Sequence, residues 1–410
     1  MLDNKLVKEL KILMNEVLQF RYPADKLLSN FFREHKKILS NERYVIAETI
    51  YSILRNFYKI TAKVDKSELF DLIGVVWLYI LQLDTDSYKN VNIIDFARLK
   101  SQSYKPDERL GELPSWIIEL LLRHYTEKEV NEIMVALQSQ APLDLRVNLL
   151  KSDIKTVIQE LKAEKIYPVK MKYSPYGIRL TDKVVLTKHK LFTQGELEVQ
   201  DESSQLAGML LNPKRGDMVV DFCAGSGGKT LLIGMLMRNT GRIYALDVNE
   251  KRLNNLAPRL ARSGLSNVHT QLIAHENDSK IKRLHNKIDR VFVDAPCSGL
   301  GTLRRNPDLK FRQTLGTVRE LNLKQSSILN SASKLLKTGG YMVYATCSIL
   351  VEENQIIVDK FLIENPNFIK VKACNVLGIA ELDREDGCLV LLPNINNTDG
   401  FFAALLQRIK

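Results

Sequence analysis

The sequence lacks the features that several protein classes require. Its five cysteines include no Cys-x-x-Cys pair, and its six histidines show no spacing suited to zinc, so neither a disulfide framework nor a metal site is predicted. No apolar run reaches the length of a membrane span, and Leu72–Leu83 is typical of a buried helix. The first residues lack the apolar core of a signal peptide. We therefore expect a cytoplasmic protein in a reducing setting.

The chain is long and carries a net positive charge. Its 410 residues are enough for two or three domains with substantial cores, and its 45% hydrophobic content is that of an ordinary soluble protein. The formal net charge of +11 favours a polyanionic partner, nucleic acid before membrane. Basic residues cluster at Arg304, Arg305, Lys310 and Arg312, which we predict to form a nucleic-acid-binding surface.

Residues 1–138 show a helical pattern almost throughout. Thr126 and Glu129 form a capping box ahead of one predicted helix. Apolar residues recur at helical spacing, at Leu10, Leu13, Val17, Leu18, Ile46, Ile50, Ile53, Leu54, Leu72, Val75, Val76 and Tyr79. These stripes predict the core of a helical domain, and the region contains no motif for chemistry.

From residue 139 the pattern becomes that of a small α/β module, which we place at 139–198. Leu143–Asn148 alternates as a strand does, Ile154–Leu161 predicts a helix, and short strands follow up to Leu186. The region 199–410 then alternates strands and helices, which predicts a doubly wound parallel sheet. Its predicted strands are Met218–Asp221, Gly241–Leu246, His269–Ile273, Arg290–Val293 and Tyr341–Ala345.

The segment Val219–Thr230, VVDFCAGSGGKT, is the centre of this last region. Its apolar start predicts a buried strand, and its glycines predict a sharp turn into a helix that begins near Lys229. Such glycines let backbone N–H groups approach a ligand, and the helix N-terminus adds a positive field. Asp247 ends the next strand, about twenty residues beyond Gly225, where a carboxylate typically binds the ribose hydroxyls of a nucleoside cofactor.

Two cysteines follow later strands at the same predicted edge of the sheet. Cys297 lies in DAPCSG, which begins at Asp294, and Cys347 lies in Thr346-Cys347-Ser348. One buried cysteine is usually a small hydrophobic residue, but two at ligand-binding positions favour covalent chemistry. Cys223, within the glycine loop, we interpret as a packing residue.

Two thiols, a carboxylate and a nucleoside cofactor fit methyl transfer to a carbon that is not itself nucleophilic, such as carbon 5 of cytosine. A thiolate that adds to carbon 6 makes carbon 5 nucleophilic toward the sulfonium methyl of S-adenosylmethionine. A carboxylic acid, which we assign to Asp294, would stabilise charge at ring nitrogen 3. Lys229, Arg304 or Arg305 would lower the pKa of the attacking thiol, and the base must be single-stranded or flipped out.

The motifs DFCAGSGGKT, DAPCSGLG and ATCS together resemble those of the NOL/NOP/Sun (RsmB-like) family of RNA 5-methylcytosine methyltransferases. The stretches LDLRVN, VQDESSQLA, RRNPD and NTDGFFAALL also match, so the resemblance covers roughly residues 110–410. It implies a Rossmann-like, S-adenosylmethionine-dependent catalytic domain at 199–410, preceded by an RNA-recognition-like module.

The resemblance also implies roles for individual residues. Cys347 would be the nucleophile, Cys297 the thiol that helps resolve the covalent adduct, and Asp294 a contact to both base and cofactor. Pro296-Cys297 alone would suggest that Cys297 is the nucleophile, because DNA cytosine methyltransferases use the cysteine of a Pro-Cys pair as their nucleophile. We also predict a catalytic role for Lys229. The implied cofactor-binding residues are Cys223, Ala224, Gly225, Ser226, Gly227, Gly228, Lys229, Asp247, Glu276 and Asp294.

Two positions depart from the family pattern. No acid stands plainly after the third strand, where LIAHEND occurs, and Glu276 is the candidate contact to the adenine. Pro393-Asn394 stands where the family often has Pro-His.

The helical region, with PADKLLSNFFREHKK, loosely resembles a NusB-like RNA-binding domain. The alternative is a helical domain specific to this protein. The expected partner is RNA, with ribosomal RNA ahead of transfer RNA. We expect no membrane, no metal and a monomer. The rival functions are a hydride-transferring oxidoreductase and a non-catalytic RNA-binding assembly factor.

Overall fold

The computed structural model of the chain describes residues 2–101, 111–181 and 184–410. Two compact units are present, one of Met1–Gln140 with Thr302–Leu315 and the other of Ala141–Gly301 with Gly316–Lys410. Thr302–Leu315 lies within the predicted catalytic domain, 199–410, but makes its contacts in the helical unit. Within the described ranges, no helix is both long enough and apolar enough to cross a membrane.

The first unit is built from helices, as the apolar repeat predicted. Asp3 caps the first helix through the N–H of Leu6, and the predicted capping box of Thr126 and Glu129 is present. The helices are α1 (Asn4–Val17), α2 (Ala24–Glu34), α3 (Ser40–Arg55), α4 (Phe57–Thr61), α5 (Leu69–Val75), α6 (Thr85–Tyr88), α7 (Phe96–Ser101), α8 (Ser115–Leu122) and α9 (Glu127–Gln138).

The predicted buried helix at Leu72–Leu83 has a more complex form. α5 continues into one π-helical turn, Val76–Ile80, whose wider ring of backbone hydrogen bonds accommodates an extra residue. The side chain of Trp77 is fully buried there, and its indole N–H donates to Thr49 Oγ1 at 2.8 Å. The π turn therefore places a large aromatic side chain in the core without leaving its polar atom unpaired.

The later segment Thr302–Leu315 completes the core of this unit. Phe311 stacks on Phe20 with ring centroids 4.4 Å apart, and Lys310 Nζ lies 3.2 Å from the buried carboxylate of Glu112. Burial lowers the pKa of Lys310 to about 8, although the Glu112 carboxylate opposes that shift.

Arg304 and Lys310 are each only 4% exposed, so the predicted basic surface is wrong at these two positions. Arg304 donates to the backbone carbonyl of Gln140, and Lys310 pairs with Glu112. Both charges are used inside the protein, where they satisfy buried acceptors. This leaves Arg305 and Arg312, which are partly exposed, as the basic residues of the predicted cluster nearest to solvent.

The second unit begins with a small antiparallel sheet. Its strands are β1 (Leu143–Val147), β2 (Val169–Lys170), β3 (Gly177–Leu180) and β4 (Leu197–Val199), in the order β2-β3-β1-β4, with helices α10 (Ile154–Ala163) and α11 (Lys190–Thr193). The predicted strand at Leu143–Asn148 and the predicted helix at Ile154–Leu161 are therefore confirmed.

A larger sheet follows in the order β10-β12-β9-β8-β5-β6-β7, and β11 pairs with β12. In chain order its strands are β5 (Met218–Asp221), β6 (Arg242–Asp247), β7 (Val268–Leu272), β8 (Ile288–Asp294), β9 (Leu336–Thr346), β10 (Phe368–Val371), β11 (Leu389–Leu391) and β12 (Phe401–Arg408). The helices are α12 (Glu202–Leu210), α13 (Gly228–Leu236), α14 (Glu250–Ser263), α15 (Ser279–Lys282), α16 (Leu309–Arg312, part of the first unit), α17 (Leu315–Ser333), α18 (Gln355–Glu364), α19 (Ala373–Leu377) and α20 (Pro393–Asn396).

The five predicted strands are all present, as β5 to β9, and they run parallel. β12 pairs antiparallel with β9, and β10 and β11 pair antiparallel with β12, an edge that the sequence pattern did not predict. Because parallel strands end at the same side of a sheet, Asp221, Asp247, Asp294 and Thr346 come to one edge. The fold thereby brings the predicted site residues together.

Candidate active site

A cavity of about 440 Å³ lies at this edge of the sheet. Its lining includes every predicted site residue except Gly227, namely Cys223, Ala224, Gly225, Ser226, Gly228, Lys229, Asp247, Glu276, Asp294, Cys297 and Cys347. Four further lining residues lie within the predicted motifs, namely Asp221, Phe222, Ala295 and Pro296, and the remaining five were missed, namely Val248, Arg252, Ile273, Lys324 and Ile328. Val248 and Ile273 directly follow strands and could have been found from the strand pattern. Arg252 and Lys324 lie on helices, where no local pattern marks them.

The glycine loop owes its shape to two left-handed residues. Gly225 has φ +56° and Gly227 has φ +83°, conformations that side chains rarely adopt. A Cβ at Gly227 would lie 2.0 Å from a methyl carbon of Leu256, whereas one at Gly225 would meet nothing within 4 Å. Gly227 therefore permits close packing behind the loop, and Gly225 keeps open the space in front of it.

The Asp247 carboxylate is fixed by the backbone around it. Its Oδ2 accepts from the Gly225 N–H at 2.8 Å, and its Oδ1 accepts from the Asn249 N–H at 2.7 Å. The residue is 6% exposed and lines the cavity. Each carboxylate oxygen has a further lone pair, so the side chain can still accept two hydrogen bonds from a ligand.

Asp221 is a buried carboxyl group that is only half satisfied. Its Oδ2 accepts from the Thr230 hydroxyl at 2.6 Å, whereas its Oδ1 is buried and has no hydrogen-bond partner. Burial raises the pKa of Asp221 to about 7, with repulsion from Asp294 adding to the shift and the Thr230 hydrogen bond opposing it. At neutral pH the group is therefore protonated in a large fraction of folded molecules.

This raised pKa predicts a pH-dependent stability. In the unfolded chain the carboxyl of Asp221 ionises near 3.8, while in the folded protein it stays protonated up to about 7. The stabilisation is therefore fully present below pH 4 and is lost as the pH rises through 7, by at most on the order of 4 kcal/mol. We expect Asp221→Asn to gain stability relative to the wild type between pH 5 and pH 8, measured by urea unfolding of both proteins. Parallel pH profiles would contradict the assignment.

Lys229 and Asp294 form an ion pair inside the cavity. The Lys229 Nζ lies 2.7 Å from Asp294 Oδ2, and the two side chains are 14% and 30% exposed. Burial opposes the charge of Lys229, but the Asp294 carboxylate and the nearby sulfur of Cys347 raise the pKa of the ammonium above its usual value. Lys229 is therefore a permanent positive charge within electrostatic range of Cys347.

The two predicted thiols are in contact. Cys297 Sγ and Cys347 Sγ are 3.4 Å apart, and both cysteines are partly exposed. Hydrogen bonding to Cys347 and burial raise the pKa of the Cys297 thiol well above its usual value, and the Glu353 carboxylate adds to the shift. Ionisation of one thiol thus disfavours ionisation of the other.

Cys223 and Glu276 also line the cavity. Burial, with repulsion from nearby carboxylates, raises the pKa of Cys223, so this thiol is not poised to act as a nucleophile. The Glu276 carboxylate accepts from Lys324 Nζ at 2.5 Å and from the Ser327 hydroxyl at 2.6 Å. Although partial burial acts in the opposite direction, these hydrogen bonds lower the pKa of Glu276 to about 2.

Family models match two regions of the chain. The model described as 16S rRNA methyltransferase RsmB/F matches residues 208–407. A second, described as the RsmF/B-like ferredoxin-like domain, matches residues 113–187. The first match contains the whole cavity lining, and the second contains β1, β2 and β3 of the small sheet.

Two named relatives illustrate the similarity. A Synechocystis sp. protein named probable ribosomal RNA small subunit methyltransferase B is 34% identical over 307 residues, which cover 73% of this chain and 68% of the relative. A Mus musculus protein named 28S rRNA (cytosine-C(5))-methyltransferase is 34% identical over 254 residues, which cover 60% of this chain and 31% of the relative. The matches thus span about two thirds of the bacterial relative and a third of the mouse one.

Solved structures agree with these matches. The crystal structure of PH0851 has a TM-score of 0.82 at 25% identity and covers 100% of this chain and 99% of its own. A methyltransferase homolog protein from Pyrococcus horikoshii has a TM-score of 0.60 at 28% identity, covering 72% of this chain and 99% of its own. These findings confirm the resemblance predicted from the motifs. The chain belongs to the RsmB/F family of RNA methyltransferases.

Proposed function

We propose that this enzyme transfers a methyl group from S-adenosylmethionine to carbon 5 of a cytosine in RNA, through a covalent adduct with a cysteine. The observation that carries the proposal is the pair of thiols, Cys297 and Cys347, 3.4 Å apart in a cavity large enough for a nucleoside cofactor. The name of the mouse relative specifies cytosine carbon 5. The names of the bacterial relatives specify the small ribosomal subunit, so ribosomal RNA is the proposed substrate and transfer RNA the alternative.

The residues of the cavity fit the proposed cofactor. The open space before Gly225 admits a ligand close to the backbone, and Asp247 has acceptor capacity left for two ribose hydroxyls. Val248 and Ile273 offer apolar surface for an adenine ring. When bound, S-adenosylmethionine supplies an electrophilic methyl group. The loop residues that line the cavity would lie beneath it, namely Cys223, Ala224, Gly225, Ser226, Gly228 and Lys229.

Asp247 gives a direct test of this cofactor assignment. The charge-assisted contact to the ribose hydroxyls is worth roughly 1.5–3 kcal/mol in total, and about 1.4 kcal/mol corresponds to a factor of ten in affinity. We expect Asp247→Ala to weaken the binding of S-adenosylmethionine at least about tenfold, as measured by calorimetry. Asp247→Asn keeps the acceptor at one oxygen and should show a smaller loss. Unchanged affinity in the alanine variant would remove Asp247 from the cofactor site.

The two thiols would act in sequence. Cys347 is the proposed nucleophile, because its sulfur lies near the Lys229 ammonium, whereas the hydrogen bond to Cys347 and burial raise the pKa of the Cys297 thiol. Attack on carbon 6 would make carbon 5 nucleophilic, and carbon 5 would then take the methyl group as its bond to the cofactor's sulfur breaks, with S-adenosylhomocysteine as the leaving group. Once Cys347 is bound to carbon 6 it carries no charge, so the main obstacle to ionisation of Cys297 disappears.

Cys297 would then complete the reaction as a base. After it has lost its own proton to solvent, its thiolate takes the proton from carbon 5. The electrons of that bond restore the double bond between carbons 5 and 6, and the Cys347 thiolate leaves. The ion pair of Lys229 and Asp294 would contact the edge of the base. Asp294, which already accepts a hydrogen bond from Lys229, would also accept one from the exocyclic amine of cytosine, and Lys229 would donate toward nitrogen 3. This modifies the predicted role of Asp294 as a neutral acid.

Bisulfite sequencing tests the proposed function. Total RNA from a strain that lacks the gene is compared with RNA from the parent strain, and the purified enzyme is then added back to the deficient RNA. We expect one ribosomal RNA cytosine to lose its protection and to regain it with enzyme and S-adenosylmethionine. Loss of protection in transfer RNA would select the alternative substrate. An unchanged pattern in all RNA would refute cytosine methylation.

A further inference from the structure

Glu353 is a fully buried carboxylate that lies outside the cavity lining. It ends a short 3₁₀ turn, Val351–Glu353, which follows the loop 347–350 that carries Cys347 (the Cys347 loop). Its exposed fraction is 0%. Among the residues that the structure describes, no lysine, arginine or histidine forms an ion pair with it. A buried carboxylate without a cation is costly, so its presence needs a reason.

One side of this carboxylate is bound to the Cys297 loop. Glu353 Oε1 accepts from the backbone N–H of Ser298 at 2.8 Å, and Oε2 accepts from the Ser298 hydroxyl at 2.5 Å. The buried amide of Gln325 donates both to Glu353 Oε1 and to the carbonyl of Pro296, each at 3.0 Å. The residues before and after Cys297 are therefore both tied to Glu353.

The other side is bound to the Cys347 loop. The Ser348 hydroxyl donates to Glu353 Oε2 at 2.5 Å, and the Tyr344 hydroxyl donates to the Glu353 carbonyl at 2.7 Å. Each of the two cysteines is thus followed by a serine whose hydroxyl meets the same carboxylate oxygen. These two serine hydroxyls lie 3.2 Å apart, as close to one another as the two sulfurs are.

We propose that Glu353 is a positioning residue, which ties the two cysteine-bearing loops together and holds Cys297 and Cys347 in contact. The catalytic consequence of this contact rests on the function proposed above. With the two sulfurs in contact, Cys347 can leave carbon 6 of the cytosine while Cys297 takes the proton from carbon 5. Four donors meet the carboxylate, and they offset the cost of burying the charge. A neutral side chain at this place would accept fewer of them and would hold the loops less firmly.

The charge of Glu353 has a second consequence. It lies near Cys297 and raises the pKa of that thiol, whereas the charge near the Cys347 sulfur is the Lys229 ammonium. The negative charge is thus beside the thiol that is proposed to act later as the base, and the positive charge is beside the proposed nucleophile.

The contact between the sulfurs is measured by oxidation with diamide, which takes two electrons from the thiol pair as both thiols lose their protons. Mass spectrometry then quantifies the Cys297–Cys347 disulfide. We expect disulfide formation to slow at least about tenfold in Glu353→Ala, because loosened loops lower the effective concentration of one thiol at the other. If this variant does not fold, the double variant Ser298→Ala with Ser348→Ala, which keeps the carboxylate, is expected to slow in the same way.

The charge effect is measured with Glu353→Gln, in which the serine hydroxyls can rotate to accept from the new amide. We expect the pH midpoint for alkylation of Cys297 by iodoacetamide to move to lower pH, and the turnover number for methylation to fall with the KM for RNA unchanged. A purely structural glutamate would alter neither the alkylation profile nor the ratio of these kinetic constants.

Glu202→Gln is the matched control. Glu202 is a buried carboxylate of the same unit that accepts from the backbone N–H groups of Tyr173 and Ser174, so its loss tests general destabilisation. It should oxidise and alkylate as the wild type does. Wild-type oxidation and alkylation in all folded Glu353 and serine variants would overturn the proposal. The oxidation and alkylation assays need neither RNA nor cofactor. Absence of methylation in the wild type would therefore refute the proposed function without affecting the test of the positioning role of Glu353.

Discussion

In a Cys297→Ala variant, we expect methylated RNA to remain covalently attached to the protein. Cys347 still attacks carbon 6 and carbon 5 still receives its methyl group, but the base that removes the carbon 5 proton is missing. The adduct should survive denaturing electrophoresis, and it should form only when S-adenosylmethionine is present. Turnover should fall by on the order of 10³-fold or more, since each enzyme molecule is consumed in one cycle.

Cys347→Ala is the matched variant at the other sulfur. It should form no adduct and no methylated product, because the only change is the loss of the proposed nucleophile. An adduct trapped by Cys347→Ala in place of Cys297→Ala would reverse the two roles. Wild-type activity in both variants, with no adduct in either, would refute the proposed covalent mechanism.

Lys229→Met should reduce methyl transfer in a single turnover by on the order of 10²–10³-fold. The substitution removes the ammonium that lies near the Cys347 sulfur, and it leaves the Asp294 carboxylate without its ion-pair partner. We therefore also expect slower alkylation of Cys347 by iodoacetamide at neutral pH. Both rates are measured on the purified enzyme, the first at saturating S-adenosylmethionine and RNA.

Two further variants make the lysine result specific. Lys229→Arg keeps the charge and should recover part of the alkylation rate. Lys337→Met removes a lysine that also pairs with an aspartate, at 2.9 Å from Asp289, but outside the cavity lining, and it should leave both rates unchanged. If Cys347 alkylation were the same in Lys229→Met as in the wild type, Lys229 would have no role in activating the thiol.

The catalytic half of the fold was predictable because its signals are local. The glycine loop, the acid ending β6 and the two cysteine motifs each lie beside a strand end, and parallel strands bring such ends together whatever the rest of the chain does. Membership of the methyltransferase family also removes the oxidoreductase and the non-catalytic assembly factor as alternatives. The individual roles of the thiols stay predictions until the variants are measured.

What sequence reasoning missed depends on contacts between distant positions. Glu353 meets Ser298 across 55 residues, and Lys310 meets Glu112 across 198, so no local pattern marks either contact. A basic residue in a polar stretch is usually solvated, which is why Arg304 and Lys310 were predicted to be exposed. The π-helical turn at Val76–Ile80 was missed for another reason, since its apolar residues fit an ordinary helix equally well.

The place of Thr302–Leu315 in the helical unit has a consequence for synthesis. Residues up to Gln140 leave the ribosome first, when Glu112 has no Lys310 to pair with and Phe20 has no Phe311 to stack on. At roughly 5–20 residues per second, the missing segment follows about 10–35 seconds later. The helical unit therefore cannot finish folding until Leu315 has been made, and its unfinished core is exposed to chaperones throughout that interval.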